Sequence, residues 1–447
     1  MKRIFTAFMM MLCAVCAASA ANYLTFTAEE EGSSFGIMHA DKNNPDVQYS
    51  LDDGATWTAL TEGDSVILAH KGDKVLLKGN NPKGFSMQKN KFSTFKLTGK
   101  LAASGSVMSL IDSIGLSTGI PNSYCFQKLF SGCTSLTQAP ELPATKLTVA
   151  CYSSMFMGCT SLTQAPELPA MKLASECYGS MFKDCTSLTQ APELPATTAP
   201  GACYRGMFSG CTSLTQAPEL PATTLEISCY EGMFKGCTSL TQAPELPATT
   251  LQTYCYQSMF SGCTSLTQAP ALPATTLVDN CYRDMFSGCT SLTKAPALPA
   301  TTLANYCYYG MFSGCTSLRQ TPALPAKTLA QSCYYEMFSG CTNLSEIRVS
   351  LDDWKGESTT AWVRDVSLNG TFICPDTLPL KFGKNRIPLG WKVKKIIDGD
   401  TVDVPVYDNY LTFTAEEDAP GSLIFHSSCE GKLRVALESL QGQRDLI

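Results

Sequence analysis

The stretch "CYRGMFSGCTSLTQAPELPATTL", residues 203–225, decides the fold of this chain, because nearly the same sequence occurs repeatedly before and after it. Each copy has two cysteines eight residues apart, and the copies follow one another with a constant period of 26 residues. The nine pairs are Cys125/Cys133, Cys151/Cys159, Cys177/Cys185, Cys203/Cys211, Cys229/Cys237, Cys255/Cys263, Cys281/Cys289, Cys307/Cys315 and Cys333/Cys341. A fixed period of about 20 to 50 residues indicates a repeat architecture, and about 20 to 29 is the leucine-rich-repeat range.

One copy alone has too few apolar residues to fold, whereas stacked copies bury a continuous core. We therefore predict an α/β repeat solenoid of the leucine-rich-repeat type over residues 121–345, built from short parallel strands and short helices. The short strand is expected around residues 135–139, ahead of the prolines at 140 and 143, which lack the N–H group that a sheet needs.

The helix is predicted over "CYSSMFMGC", residues 151–159. Tyr152 and Phe156 are four residues apart, as are the cysteines and Met155, so that the apolar side chains share one side of a short helix. Gly158 stands where a helix ends in a left-handed residue, and Asp184 is the one replacement among the copies. The residues with assigned structural roles are Cys125, Cys133, Cys151, Cys159, Cys203, Cys211, Gly132, Gly158, Phe156 and Phe208.

The remaining regions have other compositions. Residues 1–20 have a basic start, an apolar run and Ala-Ser-Ala, which predicts a secretory signal peptide. Residues 22–105 alternate apolar and polar residues between turn signals, which predicts a small all-β, sandwich-like module. Residues 346–398 are expected to cap the stack, and residues 399–447 repeat "NYLTFTAEE" of residues 22–30, which predicts a partial copy of the first module.

The role of the repeat cysteines stays open at this point. In a helix the two cysteines of one copy would be about 12 Å apart along the axis, whereas a disulfide needs Cα atoms within about 7 Å. Disulfides between copies, or within a copy whose last turn unwinds, and packed free thiols all remain possible. A zinc site is not expected, because no copy has a C-x-x-C spacing and the array lacks histidine.

Several function classes find no support in the sequence. The formal charge of −6 argues against a nucleic-acid partner, and no apolar run is long enough for a transmembrane segment. No recognisable catalytic, cofactor or metal motif occurs, so we expect no enzyme and no cofactor. "SLDDGATW", residues 50–57, matches the Asp-box pattern, whose role is that of a structural hairpin turn.

The block Phe208-Ser209-Gly210-Cys211-Thr212-Ser213-Leu214 and its equivalents resemble the bacterial BspA-type leucine-rich repeat. The flanking "GTFICPDTLP" and "IPLGWKV" resemble segments that accompany such arrays in exported proteins of Bacteroides-like bacteria. The resemblance implies a secreted or cell-surface binding protein of a Gram-negative bacterium, at the outer membrane or beyond, with an adhesin-like role.

Differences between copies concentrate in the three residues before each first cysteine and the two after each tyrosine, which we expect on the outer, convex side. The candidate binding residues lie in two other rows, an acidic row and a glutamine row. They are Glu141, Glu167, Glu193, Glu219 and Glu245, with Gln138 and Gln164. The acidic row is either a solvated stripe or a stripe that binds a divalent cation or a basic ligand.

These observations predict an exported interaction protein that binds a protein partner along a repeated face. At about 4.8 Å per copy, nine copies would give a face about 40 Å long. The alternative is a glycan-binding accessory protein of carbohydrate uptake, with residues 22–105 holding the glycan.

Overall fold

The computed structural model describes residues 21–404. The predicted signal peptide and the second "NYLTFTAEE", residues 409–417, lie outside the described residues. The strands are β1 (Leu24–Ala28), β2 (Ser33–His39), β3 (Gln48–Ser50), β4 (Thr58–Ala59), β5 (Val66–Leu68), β6 (Lys74–Lys78), β7 (Ser93–Thr98), β8 (Leu101–Ser104), β9 (Leu136–Gln138), β10 (Thr198–Ala199), β11 (Thr224–Leu225), β12 (Glu346–Arg348), β13 (Thr371–Pro375), β14 (Lys392–Ile397) and β15 (Asp400–Val404). One short helix, α1 (Ser109–Asp112), accompanies them.

The amino-terminal strands form two sheets, and one of these sheets continues into the repeats. Strand β1 pairs antiparallel with β6 and β8, and β8 in turn pairs parallel with β9. Strands β5, β2 and β7 form the second sheet. Because β9 belongs to the first repeat, the amino-terminal strands and the array share one hydrogen-bonded sheet. The boundaries of a separate module at residues 22–105 stay a prediction.

Each 26-residue copy makes one coil of a solenoid, numbered here one to nine by its first cysteine, from Cys125 to Cys333. The stacking of coils in parallel confirms the predicted solenoid. The predicted short helices are wrong. Residues 151–159 are a run of tight turns, and the equivalent residues of the other coils have the same conformation.

Hydrogen bonds explain why this segment is not helical. In coil two, the N–H groups of Met155 and Cys159 bond to carbonyls three residues back, at 3.1 and 3.0 Å. The N–H groups of Tyr152 and Phe156 instead bond to carbonyls of coil three, at 3.0 and 2.9 Å. Intrachain turn bonds therefore alternate with bonds between coils, and we call this arrangement the turn ladder.

The turn ladder has a left-handed residue at every fourth position. In coil two these are Ala150, Ser154 and Gly158, with φ of 52°, 55° and 75°. A right-handed helix cannot accommodate such residues at regular intervals. The left-handed conformation at Gly158, and at Asp184 with φ of 60°, was correctly anticipated. The four-residue spacing of buried side chains is thus real, but it comes from turns of period four and not from a helix of period 3.6.

The predicted strand is shorter than expected. Coil one has a strand at the predicted place, β9, and in coil nine β12 begins at Glu346, the equivalent of Gln138. The coils between them are joined there by isolated parallel bridges. The bridges run from Gln164 through the equivalent residues to Lys294. Prolines at the second and fifth residues after each glutamine remove the N–H groups that would lengthen the strand.

Two columns of stacked aromatic rings form the centre of the core. From Phe130 to Phe338, one ring per coil stacks on the next with centroids 5.4 to 5.7 Å apart. A parallel column of buried tyrosines runs from Tyr152 to Tyr334. These spacings lie in the range of favourable offset stacking.

Different segments close the two ends of the aromatic columns. At the amino-terminal end, Phe95 of β7 packs on Phe130 with centroids 5.4 Å apart. At the other end, Trp362 contacts both Tyr334 and Phe338, at 6.1 and 6.2 Å. Residues 358–365 there add a further run of the turn ladder without cysteine, and β12–β15 form a four-stranded sheet beside it.

The left-handed positions can be tested with Gly262→Ala. A Cβ atom at Gly262 would lie 3.6 Å from Gly236 Cα, an ordinary contact, so that only φ of 76° opposes it. We expect a loss of about 1–2 kcal/mol in the free energy of unfolding, measured by urea denaturation. The control is Ser261→Ala at the neighbouring position, and an equal effect of both substitutions would contradict the assignment.

Candidate interaction surface

The acidic row is exposed, as a binding row would have to be. Glu141, Glu167, Glu193, Glu219 and Glu245 all lie at the solvent-facing surface of coils one to five. Within residues 21–404, the four carboxylates that the row has in coils two to five, from Glu167 to Glu245, take part in no ion pair. Glu141 differs, because its Oε2 accepts a hydrogen bond from Asn22 Nδ2 at 2.6 Å. The open part of the row therefore begins at Glu167.

The glutamine row lies beside the acidic row and is held by the backbone. The side chains of Gln138 and Gln164 are exposed, and the backbone of each glutamine from Gln164 to Gln268 bridges to the equivalent residue of the next coil. Bridged parallel segments are about 4.8 Å apart. The two rows therefore repeat at one fixed interval, on a backbone that does not have to order when a partner binds.

The cation form of the acidic-row hypothesis has no support in the geometry. Across the described residues 21–404, no three His, Cys, Asp or Glu side chains are grouped closely enough to hold a metal ion. Carboxylates spaced one per coil leave the row suited to several separate contacts with a basic surface.

The repeat cysteines are buried free thiols, and the disulfide alternative is not realised among the cysteines from Cys125 to Cys374. In coils two to nine, the second cysteine donates its S–H to the carbonyl of the phenylalanine in the preceding coil, and in coil one Cys133 donates to Phe95 O of β7. Cys237 Sγ, for example, lies 3.1 Å from Phe208 O. The same carbonyl accepts the turn bond from Cys211 N at 3.0 Å, so that the thiol links one coil to the turn of its neighbour.

Burial makes these thiols unreactive. Burial raises the pKa of Cys229 and of Cys237 to about 12, because the negative charge of a thiolate would lose its hydration in the core. The nucleophile and metal ligand is the thiolate, not the thiol. The cysteines therefore serve the packing of the coils and offer no catalytic centre.

The Asp box has the structural role that its pattern predicts. Asp52 accepts hydrogen bonds from Ser50 and Thr56, and these bonds lower the pKa of Asp52 to about 2. Trp57 Nε1 donates to Gly54 O at 3.0 Å. The Trp57 ring lies between Tyr23, with centroids 5.1 Å apart, and the Lys78 ammonium at 4.0 Å. This ring is therefore occupied by neighbours within the chain.

A second exposed surface was not among the predicted site residues. On the outer side of the turn ladder, coils two to six share a shallow polar depression of about 570 Å³. Its floor has small residues such as Gly179, Gly206 and Gly232, and Arg205 pairs with Glu231 across two coils at 3.0 Å. The sequence signal was present, because these positions directly follow the buried tyrosines, where the copies differ most.

The stacked coils, parallel bridges and buried leucines define a leucine-rich-repeat solenoid. Residues 179–311 match the family described as BspA type leucine rich repeat region, in six copies, and the repeats in this range are therefore BspA-type leucine-rich repeats. No curated protein matches the chain. A crystal structure of a leucine-rich repeat protein from Bacteroides ovatus ATCC 8483 at 1.19 Å resolution is similar at 16% identity, over 75% of this chain and 95% of that chain, with a TM-score of 0.27.

In the part of the chain that the structure describes, no helix has the length and apolar character needed to cross a bilayer.

Thiol alkylation tests the burial of the cysteine columns. At about pH 8 we expect iodoacetamide to leave the repeat cysteines of the native chain unmodified and to modify them fully in denaturant, because the buried thiols are protonated. Mass spectrometry of proteolytic peptides from the repeats measures the difference. Thr212→Cys, at an exposed position, is the positive control, and rapid labelling of Cys229 in the native chain would contradict the buried state.

Stability should fall at alkaline pH for the same reason. The folded-state pKa of Cys229 is about 12 against an ordinary value of 9.0, so that the unfolded chain loses protons first as pH rises above about 9. Each such thiol then favours unfolding by about 1.4 kcal/mol per pH unit. Urea midpoints in reducing buffer should be constant below about pH 8.5 and fall steeply toward pH 11. A midpoint independent of pH over this range would refute the expectation.

Proposed function

We propose that this chain is an exported interaction protein, in which the acidic row of coils two to five binds a basic surface of a protein partner. The observation that carries the proposal is the set of exposed carboxylates, from Glu167 to Glu245, with no basic partner in residues 21–404. Leucine-rich repeats of this type generally serve protein interaction. A secreted or cell-surface location with an adhesin-like role belongs to the same proposal, as does the absence of catalysis.

Affinity would come from repetition. One exposed ion pair contributes about 0.2–1 kcal/mol, which is too little to hold a partner. Four carboxylates at equal intervals on an ordered backbone can act together, because the first contact brings the others within reach of the same partner. Like charges at this spacing repel one another, and a cationic partner relieves that repulsion.

The proposal can be tested by neutralising the row. In the full chain, Glu167→Gln, Glu193→Gln, Glu219→Gln and Glu245→Gln are combined, and binding to a panel of purified basic and acidic extracellular proteins is measured by biolayer interferometry. We expect basic members of the panel to bind the unaltered chain, with affinity that falls as salt rises. The combined variant should lose at least about tenfold in affinity.

The matched control removes the same number of charges elsewhere. Glu29→Gln, Glu31→Gln, Glu357→Gln and Asp400→Asn are all at exposed positions outside the row. An equal loss in this control would mean that net charge alone drives binding. Binding that survives in the row variant would mean that another surface is used.

A further inference from the structure

The outer side of the turn ladder has different side chains in coils seven to nine. In coils two to six, small residues there are interspersed with single long side chains such as Arg205, Glu231 and Gln257, and together they form the shallow depression. One coil farther along, the same columns hold large planar side chains. We call the following residues the tyrosine patch: Asp279, Arg283, Asn305, Tyr306, Tyr309, Gln331 and Tyr335.

The rings of the patch are ordered by contacts between coils. Tyr309 stacks on Tyr335 with centroids 4.7 Å apart and an interplanar angle of 5°. The Arg283 guanidinium covers the other face of Tyr309 at 4.5 Å, and Tyr306 leans against Tyr309 at 6.4 Å. Stacking of this kind holds the side chains in place before a ligand arrives, so that little conformational entropy is lost on binding.

Tyr335 is the last ring of this stack. In the run of the turn ladder at residues 358–365, Thr360 stands at the position equivalent to Tyr335. The bond from Glu336 N to Thr360 O shows this, because it corresponds to that from Gly310 N to Tyr335 O. Among residues 21–404, the second face of Tyr335 has no aromatic or cationic neighbour. Tyr335 is only partly buried.

A column of hydrogen-bonding side chains runs beside the rings. Asp279 Oδ1 accepts from Asn305 N at 3.0 Å, and Asn305 Oδ1 accepts from Gln331 N at 3.2 Å. Gln331 Nε2 donates to the Tyr306 hydroxyl at 2.9 Å, which leaves the Gln331 carbonyl free to accept. Three planar polar groups thus follow one another at intervals of one coil, about 4.8 Å.

We propose that the tyrosine patch is a binding site for a neutral oligosaccharide. Ring faces pack against the C–H groups of a sugar, and adjacent carboxamide and carboxylate groups exchange hydrogen bonds with neighbouring hydroxyls. A site of this kind needs ordered aromatic side chains with a few well-placed polar groups. The depression in coils two to six lies along the same columns and gives a longer oligosaccharide room to extend beyond the patch.

Charge favours an uncharged ligand. Arg283 is paired with Asp284 at 3.4 Å, and Arg364 with Glu336 at 3.3 Å, so that neither cation is free for an anionic group. Asp279 adds a carboxylate to the same surface. An acidic glycan would therefore be repelled by the patch. This site is separate from the acidic row, and the proposal does not depend on the protein partner proposed above.

The test uses the full chain on an array of neutral and acidic oligosaccharides, followed by calorimetric titration of the neutral hits. We expect binding of at least one neutral oligosaccharide, lost at least tenfold in Tyr335→Ala and in Tyr306→Ala and largely retained in Tyr335→Phe. Tyr124→Ala is the matched control, because Tyr124 occupies the same position in coil one, with φ of 63° against 55° at Tyr306. Circular dichroism confirms that each variant is folded.

Three outcomes would overturn the proposal. The first is that no neutral oligosaccharide binds, or that only acidic ones do. The second is that binding is unchanged in Tyr306→Ala and Tyr335→Ala, or falls equally in Tyr124→Ala. The third is that these tyrosine substitutions abolish binding to a protein of the extracellular panel, with no glycan bound, which would make the patch a protein contact. The variants of the acidic row should bind the oligosaccharide normally.

Discussion

The backbone hydrogen bond from one coil to the next, donated by every second residue of the turn ladder, is the interaction on which the structure depends. In coil five, Gly232, Phe234 and Gly236 all donate to carbonyls 25 residues farther along the chain, at 2.8 to 2.9 Å. From coil nine to residues 358–365 the same bonds join residues 24 positions apart, so that the ladder keeps its pairing although the intervening segment is one residue shorter. Within the array all copies share the period of 26 residues, and columns of identical side chains follow from it.

The repeat period predicted the solenoid and its buried residues, but not the local conformation of the coil. Tyr152, Phe156 and the flanking cysteines were expected on one buried side, and they are buried. The helix was wrong because spacing of four residues suits both a helix and a series of turns. Only the hydrogen bonds to neighbouring coils decide between a helix and a series of turns. Those bonds are tertiary contacts, which the local sequence pattern does not reveal. Left-handed Ala150 and Ser154 gave no sequence signal, since neither residue favours that conformation.

The candidate sites, like the fold, could be predicted from the sequence only in part. Exposure of the acidic row could be expected from the pattern, whereas the contact of Glu141 with Asn22 joins residues 119 positions apart and could not. The tyrosine patch lies where copies depart from their common sequence. The period alone makes Asp279, Asn305 and Gln331 neighbours, each 26 residues from the next. Their hydrogen bonds and the stacking of Tyr309 on Tyr335 depend on side-chain conformations that no pattern specifies.

The two ends of the array are closed by unlike segments, Phe95 with its strands at one end and Trp362 at the other, and each packs on an aromatic ring of the coil beside it. Every interior coil presents the same donors and acceptors to both neighbours. Recombination between near-identical copies in the gene can therefore insert or delete a whole unit while both closures keep their fit. The number of coils is then an inherited quantity that selection can adjust. It sets the length of the repeated surface.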